Sequence, residues 1–214
     1  MFKIKEPVNS LTHLSGAVLS MIGMILMILK AVAHQSGLQL ASALVFGISL
    51  ILLYSASTIY HWLNVSDKTN AWLRKLDHSM IYVLIAGTYT PVCLNVLGGV
   101  LGWTLFGIVW GLAIIGIILK LLWLNAPRWL YTSFYLVLGW LAIFFIVPIY
   151  KSLPIEGFLF LIAGGVFYTV GSVIYAMKPK KMQISIFGFH EIFHLFILGG
   201  SLAHFIMVNQ FILK

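Results

Sequence analysis

Seven long apolar runs, separated by short polar stretches, organise the chain and predict helices at 14–33, 38–63, 78–97, 100–122, 129–150, 154–177 and 188–212. The runs last about twenty residues, whereas a membrane barrel strand would need about ten and would alternate polar with apolar positions. Each can cross about 30 Å of hydrocarbon at about 1.5 Å per residue. Gly98-Gly99 divides the third run from the fourth, Leu153-Pro154 divides the fifth from the sixth, and Pro179 lies just past the sixth. The pattern predicts an all-α, polytopic seven-transmembrane helix bundle. With no loop long enough for a soluble domain, residues 1–214 read as one membrane domain. The first run follows Lys3 and Lys5 but is long, lacks a clear cleavage pattern and is followed at once by further spans. It therefore reads as a retained span and not as a signal peptide.

Composition strengthens this picture. Hydrophobic residues make up 61% and charged residues 8%, against about 45–50% and about 25% in soluble domains. A surface so poor in charge suits lipid, where the backbone must satisfy its hydrogen bonds internally. Cys93 is the only cysteine, so no intramolecular disulfide can form. A net charge of +8 would suit nucleic acid, but the basic residues are dispersed among short loops and no nucleic-acid motif occurs. Membrane lipids are the expected partners, and nucleic acid is not.

The same basic residues predict orientation. With the N-terminus cytoplasmic, Lys3, Lys5, Lys68, Arg74, Lys75, Lys120, Arg128, Lys178, Lys180 and Lys181 lie inside, and Lys30, Lys151 and Lys214 lie outside. This asymmetry is the one that the positive-inside rule describes, and it puts the C-terminus outside. Trp62, Trp72, Trp103, Trp123 and Trp129 fall near span ends, where an indole can meet both lipid and water. Small residues such as Gly16, Gly23, Gly111, Gly116, Gly164 and Gly165 suit close helix packing. No internal repeat supports a transporter of duplicated halves.

Three polar segments change the reading from scaffold to chemistry: Ser57-Thr58-Ile59-Tyr60-His61, Asp77-His78-Ser79 and His190-Glu191-Ile192-Phe193-His194. Charged and ionisable groups are costly in a bilayer, and the topology brings all three segments to the cytoplasmic end. His190 and His194 are one helical turn apart and can face one metal; His61 would complete a set of three imidazoles. Three histidines and an open fourth position are a catalytic zinc pattern, in which zinc activates water and polarises a carbonyl. Asp77 has the chemistry to accept a proton there, and Ser57 shares a helical face with His61. The bland alternative is a group of interfacial histidines bonded to carboxylates or lipid headgroups. The string His190 to His194 also fits H-E-x-x-H, which makes Glu191 an alternative base. His78 should point away from Asp77, His204 should lie too far outward to share the metal, and Glu6, Asn9 and His13 can share one face at the cytoplasmic entrance or act as an interfacial anchor.

These segments, with Glu6-Pro7-Val8-Asn9-Ser10-Leu11-Thr12-His13 and Gly200-Ser201-Leu202-Ala203-His204-Phe205, resemble the haemolysin III family. That family lies within the wider progestin and adiponectin receptor family and its alkaline-ceramidase-like relatives. The resemblance covers nearly the whole chain and implies a seven-helix bundle with a cytosolic N-terminus. It implies zinc (Zn2+) held by His61, His190 and His194, with Asp77 at the metal-bound water and Ser57 beside the site. It also implies a bacterial cell membrane. Three functions follow as expectations: a zinc-dependent lipid amidohydrolase or related hydrolase, a non-enzymatic lipid sensor or regulator of membrane homeostasis, and a cytolytic or pore-forming protein. Most spans show no polar row for a pore, although a homo-oligomer could build one between chains.

Overall fold

The computed structural model describes residues 4–123, 125–179 and 187–213. Lys3, Lys180, Lys181 and Lys214, which enter the orientation argument, lie outside these residues. The helices are α1 (Pro7–Ala33), α2 (Gly37–Trp62), α3 (Asp67–Pro91), α4 (Gly99–Leu122), α5 (Arg128–Gly139), α6 (Ile146–Ser152), α7 (Ile155–Met177) and α8 (Phe189–Ile206). π-turns extend α3 through Val92–Leu97 and α8 through Met207–Ile212, and a 3₁₀ segment, Trp140–Phe145, joins α5 to α6. Together they give seven spans long and apolar enough to cross a membrane among the described residues.

Two spans begin well before their apolar runs. Pro7 opens α1 at a position where its missing N–H costs nothing. Ser66 caps α3 by accepting from the Thr69 N–H, and Asp67 sits in its first turn, where the helix dipole favours a negative charge. Asp77 therefore lies inside α3 and not at its start. The fifth span is broken for a visible reason: the Tyr89 hydroxyl donates to the Gly139 carbonyl at 2.6 Å and accepts the Ala142 N–H at 2.8 Å. A side chain inserted into the helical ladder in this way tightens or kinks it. Gly98 and Gly99 turn the chain into α4 with φ of 59° and 48°, the left-handed region that glycine enters freely.

α1 packs along α2, α2 along α3, α3 along α4 and α7 along α8; α5 bridges α3, α4 and α7, and α8 returns to α1 to close the ring. One apolar cluster, including Met27, Phe46, Leu50, Ile149 and Met207, fills the end away from the N-terminus. A second, built on Tyr82, Ala86, Leu105, Val109 and Leu138, joins α3, α4 and α5. Large apolar side chains such as Leu19, Leu29, Val100, Val137 and Phe144 remain exposed around the bundle. Such a surface is unsuited to water and suited to lipid. Trp72, Trp103, Trp123 and Trp129 are exposed near span ends, as interfacial indoles should be.

Candidate metal centre

Alternation of the spans brings the end of α2 and the starts of α1, α3 and α8 to one end of the bundle. His61 from α2 and His190 and His194 from α8 meet there, each offering a ring nitrogen within 4.8 Å of the other two. Their rings are steeply inclined to one another. His61 meets His190 at 82° and His194 at 74°, and the two α8 rings meet at 65°. The three histidines form a group able to hold a metal ion.

The donor chemistry fits that ion. Glu6 Oε2 lies 2.5 Å from His61 Nδ1. This hydrogen bond, more than any other cause, holds the Glu6 carboxyl down at about 2, so it is an ionised acceptor at neutral pH. The shared proton therefore sits on His61 Nδ1, which leaves Nε2 with a bare lone pair, and that buried atom has no partner among the described residues. His190 Nε2 and His194 Nε2 face each other at 3.1 Å. Thr12 Oγ1 already donates to the Val8 carbonyl at 2.9 Å, and His194 Nδ1 lies 3.5 Å from it as a long-range donor. A carboxylate on the outer nitrogen of a ligating histidine fixes its tautomer and raises its basicity. Glu6 is so placed on His61 and fixes its tautomer.

The terminal segment is built into the centre. The backbone N–H groups of Lys5 and Glu6 donate to the carbonyls of Trp62 and His61 at 3.2 and 2.9 Å. Lys5 Nζ reaches the Tyr60 carbonyl at 2.7 Å and Asn70 Oδ1 at 2.8 Å. Asn9 Nδ2 joins Glu6 Oε2 at 3.3 Å to Glu191 Oε1 at 2.8 Å. His13, expected at the entrance or as an interfacial anchor, is buried and stacks on His194 at 3.6 Å.

Glu191 is otherwise engaged. Its Oε2 accepts the Gly188 N–H at 2.7 Å and caps α8, while Oε1 holds Asn9. Asp77 and Ser57 instead line a cavity of about 250 Å³ together with His13, His190 and His194. The expectation that His78 points away from Asp77 does not hold: His78 Nδ1 is 3.3 Å from Asp77 Oδ2. The ring folds back toward the preceding turn, the direction in which helical side chains lean, and its Nδ1–H reaches the Arg74 carbonyl at 2.8 Å. That leaves Nε2 to accept from the Tyr175 hydroxyl at 3.2 Å. His204 is away from the metal group and bonds the Leu161 carbonyl through Nε2 at 3.1 Å.

Comparison with known proteins shows the family. The chain is 43% identical over 215 residues to a hemolysin-3 homolog of Bacillus subtilis (strain 168), covering 100% of this chain and 98% of that protein. It is 41% identical over 212 residues to hemolysin-3 of Bacillus cereus, covering 99% and 94% of the two chains. Residues 2–205 match the family described as haemolysin-III related. A multi-pass bundle with this match belongs to the haemolysin-III related family.

Proposed function

We propose that the chain is a zinc-dependent hydrolase of membrane lipids that carry an amide or ester carbonyl. The observation that supports it is the position of His190 and His194, two of the three grouped histidines, on the wall of a largely apolar cavity that Asp77 and Ser57 also line. Three protein ligands leave the fourth position open, as catalytic zinc sites do and closed structural sites do not. When bound, zinc would supply Lewis acidity, lowering the pKa of water and polarising a carbonyl.

The protein's own groups have distinct work. Glu6 holds the His61 tautomer, and the segment from Lys5 to Asn9 covers that side of the centre. Asp77 takes the proton from water, with the His78 ring packed beside its Oδ2. Ser57, one turn from His61 on α2, orients the lipid carbonyl. The apolar wall takes the acyl chain and keeps bulk water from the reacting groups. The same walls argue against an aqueous pore, which needs a continuous polar path.

The histidine end faces the cytoplasm in this reading, and the membrane is a bacterial cell membrane. Lys5, Lys68, Arg74, Lys75, Lys120, Arg128 and Lys178 belong to that end, while Lys30 and Lys151 belong to the other. The test is product formation from extracted native lipids, followed by mass spectrometry. Wild type should release a defined product pair, and Asp77→Asn should release it much more slowly while still holding zinc. Wild type that binds lipid and metal yet forms no product would replace the hydrolase with a lipid sensor.

A further inference from the structure

The cavity does not end at the metal centre. It continues along α8 from His190 and His194 to Ile197 and His204. Ten residues of helix separate His194 from His204, a depth of about 15 Å toward the bilayer centre. An imidazole there is expensive to keep, because lipid offers its nitrogens nothing. The bundle nevertheless makes room for it. A side chain at Gly164 would overlap the His204 ring, so glycine is what lets the ring lie against α7.

The hydrogen bonds define what is missing. The Leu161 carbonyl can only accept, so His204 Nε2 carries the proton. Nδ1 is then a bare acceptor, buried without a partner among the described residues. Beside it Tyr168, on the cavity wall, holds its ring 5.4 Å from the imidazole. Its hydroxyl ends a short chain: Tyr54 Oη donates to Ser201 Oγ at 2.6 Å, and Ser201 Oγ meets Tyr168 Oη at 2.9 Å. Tyr54 Oη also reaches the Ile197 carbonyl at 3.3 Å, so the Ser201–Tyr168 bond can run either way, and Tyr168 Oη is free to donate to a group in the cavity when one is present. One group therefore wants a donor, and its neighbour offers a hydroxyl.

We propose that this end of the cavity is a second polar subsite, which takes a hydroxyl carried on the hydrophobic chain of a lipid whose headgroup end lies at the histidine group. A hydroxyl donates to His204 Nδ1 and accepts from Tyr168; a keto group can only accept, and a methylene does neither. The subsite selects hydroxylated chains over plain ones, because a plain chain leaves Nδ1 unpaired. It rests on the lipid-binding reading above and adds the substrate class to it.

The probes are N-methyl octadecanamide and a series of isomers carrying one hydroxyl at successive mid-chain carbons. Each competes against a fluorescent acyl amide for zinc-loaded protein in detergent. One isomer should bind about tenfold tighter than the parent amide. His204→Phe, which keeps a ring but no acceptor, should bind the parent amide and lose that preference. His204→Gln offers an amide N–H to Leu161 and a carbonyl to the ligand, and should recover part of it. Thermal melts of each variant separate this loss from misfolding. Equal binding of all isomers by wild type overturns the subsite, as does a preference that survives in both variants. Failure of every amide to bind removes the lipid occupant and the subsite together. Selective binding without hydrolysis would sink the enzyme reading alone and leave the subsite standing.

Discussion

Removing the Glu6 carboxylate tests whether the terminal segment belongs to the metal centre. Glu6 does not line the cavity that holds Asp77 and lies outside α1, but its Oε2 is 2.5 Å from His61 Nδ1. Losing such an outer partner weakens metal binding by about 10–100-fold, or about 1.4–2.8 kcal/mol. The structure separates two substitutions within that range. Glu6→Gln keeps a carbonyl oxygen that can accept the Nδ1 proton and loses only the charge. With 42% of the Glu6 side chain exposed, solvent already screens part of that charge, so about tenfold is expected. Glu6→Ala also frees the His61 tautomer and should approach the hundredfold limit.

The assay is competition for zinc between purified protein and a fluorescent chelator, with thermal melts of the metal-free proteins alongside. Glu6→Ala should melt somewhat earlier than wild type without metal, because it loses the Glu6–His61 hydrogen bond, and both variants should fall further behind once zinc is present, because zinc stabilises only the fold that binds it. A Glu6→Ala protein with wild-type zinc affinity would refute the assignment. A variant that is equally destabilised with and without metal would show that Glu6 merely anchors the chain end.

One tightly held zinc per chain is expected by metal analysis, with substantial loss in each of His61→Ala, His190→Ala and His194→Ala. In a Cys93-free background, cysteine at position 68 should resist a membrane-impermeant thiol reagent in intact cells and cysteine at position 151 should react; the reverse pattern overturns the orientation. Gly87→Ala should lower stability by about 1–3 kcal/mol, seen as an earlier melt in detergent, because its methyl meets Ser49 on α2. Gly111→Ala, with open space beside it, should melt as wild type does.

The spans were legible because lipid imposes a long apolar run that few other environments require, and because basic loops alternate with the crossings. The three histidines were legible for a related reason: a turn of helix links His190 to His194, and span alternation returns His61 to the same end. Local spacing fails where function depends on a contact across the bundle. Nothing in the spacing relates residue 6 to residue 61, although the same alternation puts both at one end, and a carboxylate beside a candidate ligand could have been sought there. The H-E-x-x-H string says nothing of what its glutamate bonds to. Glu191 stands three residues after Gly188, where a carboxylate can cap the new helix, and capping takes one oxygen while Asn9 takes the other. That leaves Asp77 as the carboxylate on the cavity wall, a distinction made by helix-end hydrogen bonding and invisible to a motif that records only residue types. His204 shows the complementary limit. Its depth follows from counting along α8, but its unpaired Nδ1 depends on the Leu161 carbonyl of another helix and on the space left by Gly164. A polar residue within a span thus announces that something binds it, and only the packed bundle shows which of its atoms still lacks a partner.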